Sequence, residues 1–158
     1  MAGGIERRLE ELDIELPKAA APAANYVPYV VSGDLVFVAG QLPFSGGESG
    51  HKGRLGEDTS VEQGQAAARL CAINLLAQLK LACEGDLDRV RRVVRLGVFV
   101  SSSDGFADQP KVANGASDLM VEVFGAKGKH ARAAVGVNAL PMGVMVEVDG
   151  VFEIVPAA

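Results

Sequence analysis

Two ionic side chains in the last third of the chain have the types and spacing for small-molecule chemistry. They are Arg132 and Glu147, in HARAAVGVNALPMGVMVEVD, residues 130–149. A guanidinium presents a planar fork that matches a carboxylate, and a carboxylate can act as a base or position a water. The runs AVGV and VMVEV alternate, and NALPMG between them carries Pro141 and Gly143, which predicts two β-strands and a short connection. Every second side chain of a strand shares a face. His130, Arg132, Ala134 and Gly136 therefore lie on one face. In the second strand Met145, Glu147 and Asp149 share a face, with Val144, Val146 and Val148 opposite. Pairing as a hairpin centred between Leu140 and Pro141 sets 132 opposite 149 and 134 opposite 147, which makes Arg132 and Glu147 diagonal neighbours. Ala134 and Gly136 are small and leave room beside the guanidinium. An arginine, a carboxylate and empty space fit a small anionic ligand; the competing reading is a structural ion pair on a half-buried sheet.

The elements that must hold these residues follow from the rest of the chain. Ile5, Leu9 and Leu12 recur at helical spacing and predict a short amphipathic helix over residues 4–14, ended by Pro17. PKAAAPAANYVP reads as an Ala/Pro-rich connector, so residues 1–25 are expected as an N-terminal helix and connector and 26–158 as the domain proper. Tyr29–Val31 and Leu35–Ala39 flank SGD and predict a first hairpin. FSGGESGHKGRLG lacks the G-x-x-x-x-G-K-[ST] pattern of a phosphate loop and is expected as a mobile surface loop, with His51 solvated. Thr59 and Glu62 have the spacing of a capping box. The helix they open is expected over about 60–82, with Leu70, Ile73, Leu76 and Leu79, together with Ala72 and Leu75, toward the sheet and Gly85 as its stop.

DLDRVRRV is expected as a turn whose arginines, with Arg95, form a solvated basic face rather than a nucleic-acid patch, since no aromatics are interleaved. Val93–Ser102 predicts a central strand. A second helix over about 110–124 turns Val112, Leu119, Met120 and Val123 inward. The order ββαβαββ describes an α+β fold, one mixed sheet with two main helices on a single face. The other face is then uncovered, since Val144, Val146, Val148 and the apolar members of strands 35–39 and 93–100 cannot all be served by two helices; Val146 faces either a subunit interface or the helices. At about 25 cal/mol per Å² of apolar surface, covering that face favours self-association.

Composition narrows the function. The chain has 158 residues, 49% of them hydrophobic, and a net charge of −5. That size and apolar content fit one domain with a proper core, and the charge argues against a phosphate-backbone binder. No run approaches the ~18 apolar residues of a membrane span, and the charged N-terminus lacks the core of a secretory signal. Cys71 and Cys83 would stand about 18 Å apart on a continuous helix, too far for a disulfide. Both are expected as buried thiols of a cytoplasmic protein. No residue cluster suits a metal, and no cofactor is expected.

HARAAVGV, then Leu140-Pro141, then Val146-Glu147-Val148 resembles the strand pair of the YjgF/RidA family (reactive intermediate deaminase, L-PSP endoribonuclease-like). GDLVFVAGQLP, Gly33 to Pro43, resembles that family's second hallmark, a strand ending in G-Q-[IL]-P, and Asn114 falls where the family has an asparagine. The resemblance spans about Tyr26 to Glu153. It implies a chorismate-mutase-like fold assembled as a homotrimer, with three clefts between subunits and an arginine that binds the substrate carboxylate. Carried over residue by residue, it makes Arg132 and Glu147 the catalytic pair, with Gly40, Asn114 and Ala134 lining the substrate. Tyr26 and Tyr29 both lie near the family's aromatic position; Tyr29 enters the expected site.

The activity implied is hydrolytic deamination of reactive enamines or imines to 2-oxo acids and ammonia. A small carboxylate or imine is the expected ligand, with no nucleic acid and no membrane as partner. Ala133 and Ala134 stand where deaminating members carry a serine-like group and a cysteine, and NALP lacks their second arginine. With the added N-terminal helix and the glycine-rich stretch, this marks a divergent, longer branch. The alternatives are a trimer that binds a small carboxylate without turnover, and an endoribonuclease, which neither the charge nor any His pair supports.

Overall fold

The computed structural model describes residues 3–21, 24–46 and 50–157. Parts of the Ala/Pro connector and of the glycine-rich stretch lie outside the described residues. Helix α1 (Gly4–Glu11) is shorter than the predicted 4–14, because the chain turns at Asp13, φ +55°, well before Pro17. The Asp88 carboxylate accepts from the backbone N–H groups of Gly4 and Ile5, both at 2.9 Å. It thereby satisfies two of the open donors of the first turn and sets a negative charge at the positive end of the helix. Leu9 is buried, and Ile5, Leu12, Ile14 and Leu16 pack on the core.

Strands β1 (Tyr29–Ser32) and β2 (Leu35–Gln41) form the predicted hairpin, with Ser32 opposite Leu35 and Gly33 at φ +61° in the turn. Helix α2 (Val61–Ala82) starts one residue later than expected and is capped by a different pair. Ser60 Oγ accepts from the Gln63 N–H at 3.1 Å, and Gln63 Oε1 accepts from the Ser60 N–H at 2.8 Å. Thr59 donates to Asp58 instead, at 3.0 Å. Leu75, Leu76 and Leu79 are fully buried as expected, whereas Leu70 and Ile73 are half-buried and border a cleft shared with Leu12, Ile14 and Pro17. The N-terminal segment, not the sheet, is what meets them.

Strand β3 (Val90–Ser101) follows a 3-10 turn at 87–89 and begins three residues before the predicted Val93, so Arg91 and Arg92 are strand residues. Helix α3 (Gln109–Phe124) buries Val112, Leu119, Met120 and Val123, as its periodicity requires. It crosses α2 at Gly115, where a Cβ would collide with the Gln65 backbone. Strands β4 (Ala131–Val137) and β5 (Val146–Ile154) complete a five-stranded sheet in the order β1-β2-β5-β3-β4.

The order of strands corrects the expected hairpin. β4 runs parallel to β3 at the sheet edge, β5 runs antiparallel to β3 on its other side, and the two predicted hairpin strands do not pair. The connection crosses the end of β3 through a 3-10 turn at Pro141–Gly143, where Met142 has φ +59°. It is held from outside: Val144 bridges Lys52, and the Met145 N–H donates to the His51 carbonyl at 2.9 Å. The described part of the glycine-rich stretch is likewise tied down rather than loose. Leu55 is fully buried, its N–H donates to the Ser101 carbonyl, and its carbonyl accepts from Ser103, both at 2.9 Å. His51 is half-buried.

Both main helices cover one face of the sheet, over Val36, Val38, Leu96, Val98, Val100 and Phe152. Val144, Val146 and Val148 are fully buried with them and so do not belong to the uncovered face. Val146 lies directly over α2, its carbonyl accepting from Cys71 Sγ at 3.5 Å. The open face is apolar through other residues: Val30, Phe37 and Val135 are exposed there, and Phe99 and Val151 half-buried. Among the described residues no helix is long and apolar enough to cross a membrane.

Candidate functional site

Arg132 pairs with Leu96, which is buried beneath the helices, so the arginine projects on the helical side of the edge strand β4. Its head reaches the first turns of α3. Nη1 donates to Asn114 Oδ1 at 2.9 Å and to Ser117 Oγ at 3.1 Å, and Nη2 donates to the Pro110 carbonyl at 3.3 Å. Asn114, expected near the arginine, is therefore in direct contact with it. Ser117 lies one helical turn further on, on the same side of α3.

Ser117 Oγ is also 2.9 Å from His130 Nε2, and His130 Nδ1 is 2.6 Å from the Gly128 carbonyl. A carbonyl only accepts, so Nδ1 carries the proton. In the neutral ring Nε2 then accepts the Ser117 hydroxyl proton, which leaves the Ser117 oxygen lone pair for Arg132. Ser117 and His130 were not among the expected site residues. The signal was present: Ser117 is three residues after Asn114, and His130 shares the strand face of Arg132.

The space expected beside the arginine is only partly empty. Ala134 packs against the core, and at Gly136 an added Cβ would meet Ser102 Oγ at 2.6 Å and Gln109 Nε2 at 2.7 Å. The missing side chain of Gly136 is thus filled by its neighbours.

Glu147 is not a neighbour of Arg132. It pairs with Phe99, three residues along β3 from Leu96, and an odd offset puts it on the opposite face of the sheet. On that open face it meets Gly40, where a Cβ would run into the Glu147 carboxylate. Gly40 sits in the irregular part of β2, where the register with β5 shifts between Val38 and Gln41. Burial raises the Glu147 carboxyl above its ordinary value of 4.5, and the charge of Asp149 adds to the rise. Asp149 is itself raised by burial, against the opposing pull of Arg95, 3.9 Å away, and of the Gly97 backbone N–H. Among the described residues Glu147 has no ion-pair or hydrogen-bond partner, so a carboxylate with elevated basicity stands free on this surface.

Tyr29 and Tyr26 both border a shallow groove of about 440 Å³ on the same side of the sheet, with Phe37, Arg95 and Asp149. Tyr29 is half-buried and packs on the core, while Tyr26 is exposed. The expected residues therefore fall into separate sets. Arg132, Asn114 and Ala134 belong to the helical side of the β4 edge, and Glu147 and Gly40 to the open side; Tyr29, opposite Val38, turns toward the core on the helical side at the other edge of the sheet. Cys71 and Cys83 are buried free thiols, and burial pushes the Cys71 thiol up further, with Glu147 contributing, so neither is a ready nucleophile. No group of three or more His, Cys, Asp or Glu side chains converges among the described residues.

Comparison with known proteins gives a consistent relationship over nearly the whole chain. The family model described as “YjgF/chorismate_mutase-like, putative endoribonuclease” matches residues 6–153. Protein TCP17 of Trypanosoma cruzi is 53% identical over 154 residues, 97% of this chain and 96% of that protein. The crystal structure of Atu1372 from Agrobacterium tumefaciens aligns with a TM-score of 0.89 at 49% identity, over 95% of this chain and 92% of that one. A structure described as a “putative endoribonuclease” from Shewanella oneidensis MR-1 aligns with a TM-score of 0.92 at 36% identity, over 96% and 100% of the two chains. The five-stranded sheet with its helices is the fold of these structures.

Proposed function

The chain belongs to the family described as “YjgF/chorismate_mutase-like, putative endoribonuclease”, and from that premise we propose that it is a small-molecule hydrolase. Its reaction is the deamination of reactive enamine or imine intermediates to 2-oxo acids and ammonia, in clefts between the subunits of a homotrimer. The observation that carries this reading is the state of Arg132. Its guanidinium is held by neutral acceptors, Asn114, Ser117 and the Pro110 carbonyl, and among the described residues by no carboxylate. Its charge is therefore uncompensated at the site, as an anchor for an anionic ligand requires.

The chemistry follows from the two half-sites. Arg132 takes the substrate carboxylate and fixes the adjacent imine carbon in space. Water adds to that carbon. Glu147, raised by burial and by Asp149, is a better base than a solvated carboxylate and accepts the water proton. It returns that proton to the nitrogen to give the carbinolamine; it then carries the hydroxyl proton to the nitrogen, and the C–N bond breaks to release ammonia as the C=O bond forms. Within one chain Arg132 and Glu147 face opposite sides of the sheet, so one small ligand cannot touch both. In the proposed trimer the open face of one copy lies against the β4 edge of the next, bringing its Glu147 and Gly40 toward the neighbour's anchor.

A second reading, binding without turnover, is favoured by Ala133 and Ala134, which leave the two strand positions after Arg132 without a polar side chain. RNA cleavage, the activity in the family description, is the third reading, and a net charge of −5 disfavours it. The deciding experiment follows 2-oxo acid and ammonia release from an enamino acid generated in situ, against the uncatalysed rate. The proposal expects acceleration by the wild type and none by Arg132→Ala or Glu147→Gln. A wild type that does not accelerate release, yet binds a 2-oxo acid through Arg132, is a binding protein. RNA cleavage that survives purification and needs Arg132 replaces both.

A further inference from the structure

Arg132 uses its donors unevenly. A guanidinium has five N–H bonds. The two on Nη1 are both engaged, by Asn114 Oδ1 at 2.9 Å and Ser117 Oγ at 3.1 Å, and one on Nη2 goes to the Pro110 carbonyl at 3.3 Å. Two remain, Nε–H and the second N–H of Nη2. Nη2 lies trans to Cδ across the planar group, on the same side as the Nε–H bond, so Nε and Nη2 together form one side edge. Among the described residues no acceptor meets Nε.

What holds the head in this rotation is a chain of bonds with a fixed direction. It starts at the Gly128 carbonyl, which accepts from His130 Nδ1 at 2.6 Å, and continues through His130 Nε2 and Ser117 Oγ at 2.9 Å. Gly128 is buried at the end of the 3-10 turn after α3, while Ser117 and His130 are half-buried, so the relay is anchored on rigid backbone. Without the histidine, the Ser117 hydroxyl is free to rotate and turn its proton toward Arg132, which cannot accept it. Without the serine, one Nη1 proton has no partner.

We infer that Ser117 and His130 are positioning residues for the anion site, fixing the guanidinium so that its Nε–Nη2 side edge, not its Nη1–Nη2 end, takes the ligand carboxylate. This deepens the proposed function and rests on Arg132 being the carboxylate anchor. A side-on bidentate pair sets the plane of the carboxylate, and with it the direction of the carbon that water attacks. Asn114 supplies the second fixed acceptor.

The test is a calorimetric titration of the intact protein with pyruvate, paired with NMR of the Arg132 Nε–Hε signal, which is identified by its loss in Arg132→Lys. Arg132→Ala weakens pyruvate binding at least tenfold. Ser117→Ala and His130→Ala each weaken it roughly threefold to tenfold, the scale of one lost hydrogen bond. Ser117→Thr and His130→Gln, which restore a hydroxyl and a donor–acceptor pair, recover most of the loss. In the wild type the Arg132 Nε–Hε signal shifts as pyruvate saturates the site. Unchanged binding in Ser117→Ala and His130→Ala, with binding lost in Arg132→Ala, overturns the relay and leaves the anchor standing. A signal unmoved at saturation overturns the side-edge geometry. A wild type that binds no pyruvate, or an Arg132→Ala protein that binds it normally, removes the anchor and with it the functional reading.

Discussion

Replacing Arg132 by alanine separates an anchor from a structural ion pair, and the geometry sets the sizes of both effects. Three hydrogen bonds are lost, to Asn114, Ser117 and the Pro110 carbonyl. The bonds to Asn114 and Pro110 are exposed, so water replaces the arginine there, and only the one to Ser117 is partly buried. At about 0.5–1.5 kcal/mol each, with the exposed pair at the low end, the loss of stability is about 1–2 kcal/mol. For a chain of this size that lowers Tm by roughly 2–8 °C. An arginine paired with a buried carboxylate would instead leave a stranded charge and cost about 3–5 kcal/mol. Ligand affinity behaves differently. A charge-assisted contact of about 1.5–3 kcal/mol corresponds to a roughly 10- to 150-fold rise in Kd for a 2-oxo acid. Arg132→Lys keeps the charge but not the fork, and recovers little. Thermal melts and calorimetric titrations of the same two variants decide the matter. An Arg132→Ala protein that melts far lower yet binds the 2-oxo acid like wild type would refute the reasoning.

Three further outcomes are expected. Glu147 is raised by burial and by Asp149, so the folded chain favours its neutral form; that stabilisation is complete below the ordinary value of 4.5 and is lost as pH rises through the raised one. Glu147→Gln, which fixes a neutral side chain, therefore melts higher than wild type at pH 7, and the two curves converge below pH 4.5. Phe37 is 45% exposed on the open face and outside the core, so Phe37→Asp keeps the far-UV circular dichroism while the sedimenting species falls to the 16.4 kDa of one chain; a wild type already at that mass refutes the trimer. Asp88→Ala removes the cap on α1 at a cost of about 0.5–2 kcal/mol. Hydrogen exchange should then accelerate in residues 4–11 and not in β3, and equal acceleration in both would mean that α1 and the sheet open together.

The side-chain periodicities were readable because they are local. The alternation in 130–137 correctly put His130, Arg132, Ala134 and Gly136 on one face, and the spacing in α3 correctly turned Val112, Leu119, Met120 and Val123 inward. Pairing is not local. Two strands joined by a short connection read as a hairpin, yet β3, some thirty residues earlier in the chain, sits between them, and nothing in residues 130–149 encodes that insertion. Leu70 and Ile73 failed for a related reason: their helical face is real, but its partner is the N-terminal segment. The α2 cap shows the limit at the scale of single residues, since Thr59–Glu62 and Ser60–Gln63 have the same spacing and only the backbone chose between them. The relay from Gly128 to Arg132 needed both a strand face and a helix face to be aligned, which the sequence offers separately but does not join.

The failed hairpin has a consequence for the proposed chemistry. Had Arg132 and Glu147 been cross-strand neighbours, each would have neutralised the other, and a monomer could have held a site of little use to an anion. On opposite faces they cannot pair within the chain: the arginine is not neutralised by Glu147, and the glutamate keeps a raised carboxyl without a partner among the described residues. Both properties are what hydrolysis of a carboxylate-bearing imine asks of them, and both depend on the separation. The two groups can then serve one ligand only where a second copy covers the open face. On that face Val30, Phe37 and Val135 give a neighbour apolar surface to bury, at about 25 cal/mol per Å². Assembly and activity are thereby coupled in the proposed enzyme. Phe37→Asp, which touches neither Arg132 nor Glu147, should abolish deamination together with the trimer. A monomeric Phe37→Asp protein that still releases ammonia at the wild-type rate would show that one chain suffices, and that the two half-sites are not parts of one site.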